Sequence, residues 1–289
     1  MEVCALTMVY RDHWALSRWY AHHAAQLGAQ SLYVVAHGPD PRLPDLCPGA
    51  SIITVPRDDL SHFDRRRGAL LDGIHAGLAQ LYDWVIRTDA DELVCFDPDR
   101  YRSLPEAVAA QGDAPVLTAL GFDLVEMPGD AALANEPTFT SRRNLSFSGH
   151  YSKAVAARRP IPFALHGVRV PPRRLADFPF TMPPGLFLAH LKYANGAALA
   201  EATIVREEVG NTDARGLPGG GWKEAGRDVE TFHRTFAAKP LVSWEEAEAQ
   251  ARAQLAHDPV RIEERGIVKA RALKQTVRTV LPERFAAQG

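Results

Sequence analysis

Along the first hundred positions, short β-branched apolar runs alternate with stretches of helical period. Glu2-Val-Cys-Ala-Leu-Thr-Met-Val9 is nearly continuous in apolar character and predicts a buried strand that breaks at Tyr10-Arg11-Asp12-His13. Trp14, Leu16, Trp19, Tyr20, His23 and Leu27 then recur at helical intervals as far as Gly28, a C-terminal stop, and Ser31-Leu-Tyr-Val-Val-Ala36 predicts the next strand. Strand, helix and strand in that order make a βαβ unit, whose parallel strands require a right-handed crossover. His37-Gly-Pro-Asp-Pro-Arg42 interrupts the pattern with turn residues, and Ser51-Ile-Ile-Thr-Val55 reads as a third strand. A helix opening near Arg65-Arg66-Arg67 and running to about Tyr82 carries Leu70, Leu71, Ile74, Leu78 and Leu81 on one side.

The chain is organised around the stretch from Asp83 to Val94. Trp84-Val85-Ile86 predicts a fourth buried strand, and Asp89-Ala90-Asp91-Glu92 places three carboxylates at its end. Carboxylates lose several kcal/mol on leaving water, and like charges a few ångströms apart raise each other's pKa. Such a cluster is therefore either a solvated acidic turn or a grip on a cation. Oxygen ligands favour Mg²⁺ or Mn²⁺. Open α/β sheets place their ligands at the carboxyl ends of their strands, which favours the cation.

Further along, Ser103 and Glu106 have the spacing of a capping box, Ala114 to Leu120 predicts a strand, and 127–184 is irregular, with loops and short strands expected to close over a site. Phe187-Leu-Ala-His190-Leu-Lys-Tyr193 predicts a last core strand. Beyond Asn195 the composition shifts to Ala, Glu and Arg. Ala197 to Val209 predicts a helix, Gly216 to Trp222 a flexible break, and Ser243 to about His257 a capped helix. Residues 260–280 predict a final basic helix with Ile267, Leu273, Val277 and Leu281 on its core side. The expected organisation is an α/β domain over 1–195 and a helical extension over 196–289.

Composition narrows the function classes. The 289 residues, 46% hydrophobic and 24% charged, fit an ordinary globular protein with room for a sizeable core. Thirty-three Lys and Arg against 35 Asp and Glu leave a net charge of −2, so no global basic field recruits nucleic acid. The N-terminus lacks the basic start and apolar length of a signal peptide, no window is long enough to span a membrane, and Cys4, Cys47 and Cys95 show no zinc spacing. A cytoplasmic protein with buried thiols is expected. The basic tail 261–284 would permit peripheral contact with an anionic membrane, or would pack on the core.

The order of features resembles the GT-A fold glycosyltransferases, specifically the family 2 and family 92-like branch. The resemblance rests on Tyr10-Arg11-Asp12, Trp19-Tyr20-Ala21-His22-His23, Leu27-Gly28-Ala29, Asp83-Trp84-Val85, Asp89-Ala90-Asp91-Glu92, Tyr151-Ser-Lys153, His166-Gly167 and Leu188-Ala-His190-Leu-Lys-Tyr193, over roughly residues 3 to 195. It implies a Rossmann-like, mostly parallel sheet flanked by helices. The implied activity is metal-dependent transfer of a sugar from a nucleoside diphosphate donor, a UDP-sugar first, to a glycan or lipid-linked acceptor.

The same resemblance makes Asp91 a direct ligand of Mn²⁺ or Mg²⁺, gives Asp89 the ribose or the metal, has Glu92 orient both, and makes His190 a late third ligand, with His166 in competition for that place. His37-Gly38-Pro39-Asp40 replaces the family's usual Asp-Asn-Asn-Ser loop, leaving Asp40 as a nucleotide-contact candidate, and Asp12 stands where the family has Glu. Thr7, Tyr10 and Asp12 would lie near the nucleobase. For the diphosphate the candidates are Arg65, Arg66 and Lys153, with Arg66 preferred in the Arg65–Arg67 run. An inverting transferase needs a carboxylate base, for which Asp123, following a strand and a Gly, is the candidate with Glu126 close by; a retaining one does not. Two rival readings stand beside this one: a nucleotidyltransferase on a related sheet, disfavoured because Tyr10-Arg11-Asp12-His13 has no glycine, and a non-catalytic nucleotide- or glycan-binding relative.

Overall fold

The computed structural model describes residues 1–133, 136–211 and 225–289; the Gly216–Trp222 break lies outside them. In chain order the first elements are β1 (Val3–Val9), α1 (His13–Leu27), β2 (Leu32–His37), α2 (Leu43–Leu46), β3 (Ser51–Val55), α3 (Phe63–Leu78), β4 (Trp84–Arg87), β5 (Glu92–Phe96), α4 (Leu104–Ala109), β6 (Val116–Thr118) and β7 (Leu120–Val125). There follow α5 (Thr138–Ser141), β8 (Asn144–Phe147), β9 (Ala154–Ala157), β10 (Phe163–Ala164), β11 (Gly167–Arg169), α6 (Pro172–Leu175), β12 (Leu186–Tyr193), α7 (Gly196–Gly210), α8 (Ala225–Ala237), α9 (Trp244–Leu255), β13 (Val260–Ile262), β14 (Ile267–Lys269) and β15 (Thr279–Val280).

The first sheet has the order β3-β2-β1-β4-β9-β6, its first four strands parallel and β9 antiparallel to both of its neighbours, β4 and β6. β1 and β4 are buried throughout or nearly so, as continuous apolar runs in a covered parallel sheet must be. A second sheet, β15-β8-β7-β12-β5, shares the main core through Phe122, Phe147 and Phe187, which pack around Trp244 of α9. The fold class is mixed α/β with helices flanking parallel-containing sheets, as the sequence predicts.

Two sequence expectations differ from the structure. Ala114–Leu120 is not one strand: β6 belongs to the first sheet and β7 to the second, with the chain crossing between them at Ala119. Residues 260–280 are not a helix. They form β13 and β14, which extend a small sheet with β10 and β11, and β15, which adds an edge strand to β8. The helix reading fails because Gly266, at φ +62°, terminates any helical run and faces the Val170 carbonyl, while Ile267 and Val268 are β-branched neighbours buried by strand pairing. Leu281 and Phe285 are fully buried, so the tail packs on the core. No helix among the described residues is long and apolar enough to cross a membrane.

Candidate active site

From β1 the chain crosses to β2 on one side, while β4 lies on the other. The carboxyl ends of β1 and β4 therefore diverge into loops at a topological switch point, where open sheets form clefts. A cleft of about 320 Å³ opens there, lined on the β1 side by Tyr10, Arg11 and Asp12 and on the β4 side by Asp89, Ala90, Asp91 and Glu92.

Internal bonds fix the acidic loop. Glu92 opens β5 and is buried; its Oε2 accepts from the Asp89 N–H at 2.9 Å and from Lys153 Nζ at 2.7 Å. Lys153 Nζ also reaches Asp89 Oδ2 at 3.1 Å, and Arg67 of α3 donates to the other Asp89 oxygen. Loss of hydration pushes the Asp89 carboxyl up, but Lys153 and Arg67 outweigh it and hold the group well below the usual carboxylate range. Burial opposes the charge of Lys153 too, and Asp89 and Glu92 overcome it, raising its pKa. Asp89, Glu92, Lys153 and Arg67 thus form a closed network of two carboxylates and two cations.

Asp91 points elsewhere. Strand register brings it its partner: His190 of β12 lies opposite Glu92 on one neighbouring strand and Asp123 on the other. The buried imidazole meets Asp123 Oδ1 through Nδ1 at 2.7 Å, turns Nε2 toward Asp91 Oδ2 at 3.5 Å, and stacks on Tyr151 with ring centroids 3.6 Å apart. Burial disfavours the imidazolium, but hydrogen bonding to Asp123 and Asp91 dominates and raises His190 to about 9. Asp91 is pushed up by burial and pulled down further by His190 and Arg206, settling at about 2. Across the cleft, Asp12 is raised to about 6, first by burial and then by the charge of Asp91.

The remaining walls carry cations and rings. Arg57 lies 3.4 Å from the Tyr10 ring centroid and donates to His37 Nδ1 at 2.9 Å. His150, Tyr151 and His166 line the opposite side. Leu165 and His166 both have positive φ, at 48° and 69°, a conformation uncommon for non-glycine residues and concentrated at functional sites. Helix α7 closes the cleft with Ala202, Val205, Arg206 and Val209, one face at helical spacing.

The residues singled out by sequence divide accordingly. Tyr10, Asp12, Asp89, Asp91, Glu92, His166 and His190 line the cleft. Thr7 does not: it sits within β1 opposite Val34, fully buried. Asp40 lies in an adjoining recess, bound to His13 at 2.6 Å. Arg66 faces away and pairs with Asp59, so the cleft-facing member of the arginine run is Arg67, one residue on around the helix. Lys153 is committed beneath the acidic loop rather than turned to the cleft. Asp123 is held behind His190 rather than aimed at an acceptor, and Glu126 pairs with Arg142 at 2.6 Å. Arg57, His150 and Arg206 were not singled out from the sequence, Arg67 stood in the arginine run without being preferred, and Tyr151 stood in the Tyr151-Ser-Lys153 stretch without an assigned role. Arg206 had a signal, because it falls on the same helical face as buried Leu199 and Val209, where a charge needs a partner.

Among the described residues no three His, Cys, Asp or Glu side chains converge as a ready-made metal cage. Asp91 and His190, the latter once its Nε2 proton is released, nevertheless offer a carboxylate and an imidazole that suit a divalent ion such as Mn²⁺. Asp123 fixes the imidazole through Nδ1, the usual arrangement behind a metal-ligating histidine, and Mg²⁺-type sites commonly use one or two protein ligands and complete themselves with substrate phosphates.

No family model matches the sequence, and no curated protein matches it. Among solved structures the chain is similar to mannose-1-phosphate geranyltransferase from Thermus thermophilus, at 14% identity across 99% of this chain and 77% of that one, with a TM-score of 0.31. It is similar also to CMP:2-keto-3-deoxy-manno-octonic acid synthetase complexed with CTP, at 14% identity across 82% of this chain and 86% of that one, with a TM-score of 0.30. At that degree of similarity the reaction has to be read from the cleft.

Proposed function

We propose that the protein is a glycosyltransferase that binds a nucleoside diphosphate sugar, a UDP-sugar first, in the cleft between β1 and β4 and transfers the sugar to a glycan or lipid-linked acceptor. The observation that carries this reading is the convergence of Asp91 with His190, itself oriented by Asp123, at the switch point of the parallel sheet. Asp91 and His190 would hold Mn²⁺ or Mg²⁺, which supplies positive charge to the diphosphate as the glycosidic bond breaks. Asp89, Glu92, Lys153 and Arg67 keep the acidic loop in place. Tyr10, backed by Arg57, offers a flat wall for the nucleobase, and His150, Tyr151 and His166 form the wall left for the acceptor.

Calorimetry with UDP-, GDP- and dTDP-sugars, with and without Mn²⁺ or Mg²⁺, tests this reading. Metal-dependent binding and sugar transfer are expected, and Asp91→Asn should abolish both. Asp123→Asn should weaken Mn²⁺ binding by roughly 10–100-fold, the usual effect of losing a histidine's outer partner. Failure of every donor to bind the wild-type protein would sink the proposal. Release of pyrophosphate from a nucleoside triphosphate would replace it with nucleotidyl transfer.

A further inference from the structure

Arg206 belongs to α7, in the segment whose composition predicts a helical extension, yet its guanidinium reaches the floor of the cleft. Nη2 lies 3.5 Å from Asp91 Oδ2, the oxygen that His190 Nε2 approaches at 3.5 Å from another side. Charge-assisted N–H···O bonds normally close to about 2.7–2.9 Å. This oxygen therefore has two nitrogen neighbours, neither at full bonding distance. The other terminal nitrogen, Nη1, is buried with no hydrogen-bond partner among the described residues. A buried guanidinium N–H left unbonded carries a substantial desolvation penalty. Both ends of the fork are thus undersatisfied, at a site where an anionic ligand would have two donors ready for it.

The helix is anchored well enough to hold that side chain in place. Asn195 caps α7 by accepting from Ala197 N–H at 3.0 Å and Ala198 N–H at 3.1 Å. Leu199 packs with Val125, Tyr193 and Phe236, and Phe232 of α8 stacks on Tyr193 at 3.5 Å. Arg206 is still about one-fifth exposed and lines the cleft.

We propose that Arg206 is a donor-binding residue: it neutralises Asp91 in the free protein, and when a divalent cation occupies Asp91 its guanidinium turns to the donor's diphosphate. This inference rests on the nucleotide-sugar reading above. It makes α7 part of the active site, so that occupancy of the metal position and readiness of the phosphate-binding arginine are linked through one carboxylate.

The test uses the full chain and two probes, Mn²⁺ alone followed by electron paramagnetic resonance and UDP at saturating Mn²⁺ followed by calorimetry. Arg206→Gln should bind Mn²⁺ alone more tightly than wild type, because a cation competing for Asp91 is gone. It should bind UDP about 10–100-fold more weakly, the usual effect of losing a hydrogen-bonded charge. Arg206→Lys, which keeps the charge without the fork, should recover part of the UDP affinity. A merely structural arginine would move both affinities in the same direction, and that result overturns the proposal. So does unchanged UDP affinity in the glutamine variant. Absence of UDP binding by wild-type protein overturns the UDP-donor reading and this inference together, whereas unaltered UDP binding by the variant overturns this inference alone.

Discussion

Asp12 serves two purposes that pull against each other. It caps α1, accepting from the Ala15 N–H at 3.3 Å, and it faces Asp91 across the cleft with its carboxyl raised to about 6 by burial and by that neighbour. Its unfolded value is about 3.9. Between these values the folded chain holds more protons than the unfolded one, so stability falls as pH rises from about 4 to about 6, and the penalty is complete above that window. Asn caps a helix as well as Asp does. Asp12→Asn should therefore stabilise the metal-free protein at pH 7 by about 1–3 kcal/mol, with the gain fading toward pH 4; urea unfolding at the two pH values measures it. The three thiols show burial without a charged neighbour to relieve it. Cys4 and Cys47 are pushed up to about 12 and Cys95 is raised as well, all by burial. Native protein should resist thiol reagents, while the unfolded chain should titrate every cysteine.

At the scale of elements, the site depends on register and close approach. Gly121 of β7 lies against the turn that carries Tyr151: a Cβ at that position would fall 2.2 Å from the Tyr151 carbonyl carbon and oxygen. Backbone cannot yield as a side-chain tip can, so Gly121→Ala should cost about 1–3 kcal/mol of stability. It should also displace Tyr151 from His190 and weaken Mn²⁺ binding, which thermal unfolding and paramagnetic resonance would register separately. Much of this level was legible beforehand. The β1-α1-β2 unit and the acidic loop at the end of β4 follow from apolar period and turn residues, and the Ala197-to-Val209 helix from a shift in composition. The choice between Arg66 and Arg67 was not legible, because helical period limits how many of three consecutive arginines can face a cleft and leaves their phase to packing.

Across the whole molecule, the last thirty residues do more than extend the helices. β14 pairs with β11, β15 pairs with β8, and the Gln288 side chain bonds both the N–H and the carbonyl of Phe96, at 3.1 and 2.8 Å. Phe285 is fully buried against Phe187 and Trp244. Phe285→Ala should remove about 3–5 kcal/mol, the usual cost of emptying such a site. Since this ring packs where α9 meets the second sheet, the loss should shift one cooperative urea transition rather than detach a terminal fragment. Two separate transitions would contradict it.

The sequence by itself determined the α/β class, the parallel strands and the presence of carboxylates at a strand end, because local period, β-branching and turn chemistry act over a few residues. Only the tertiary structure decided which groups those carboxylates meet. Asp89 closes a network with Lys153 and Arg67, Asp123 supports His190 instead of facing an acceptor, and Arg206 arrives from a distant helix. Each of these pairings is set by strand register and helix docking between residues far apart in the chain, and no local pattern encodes the phase at which two elements meet.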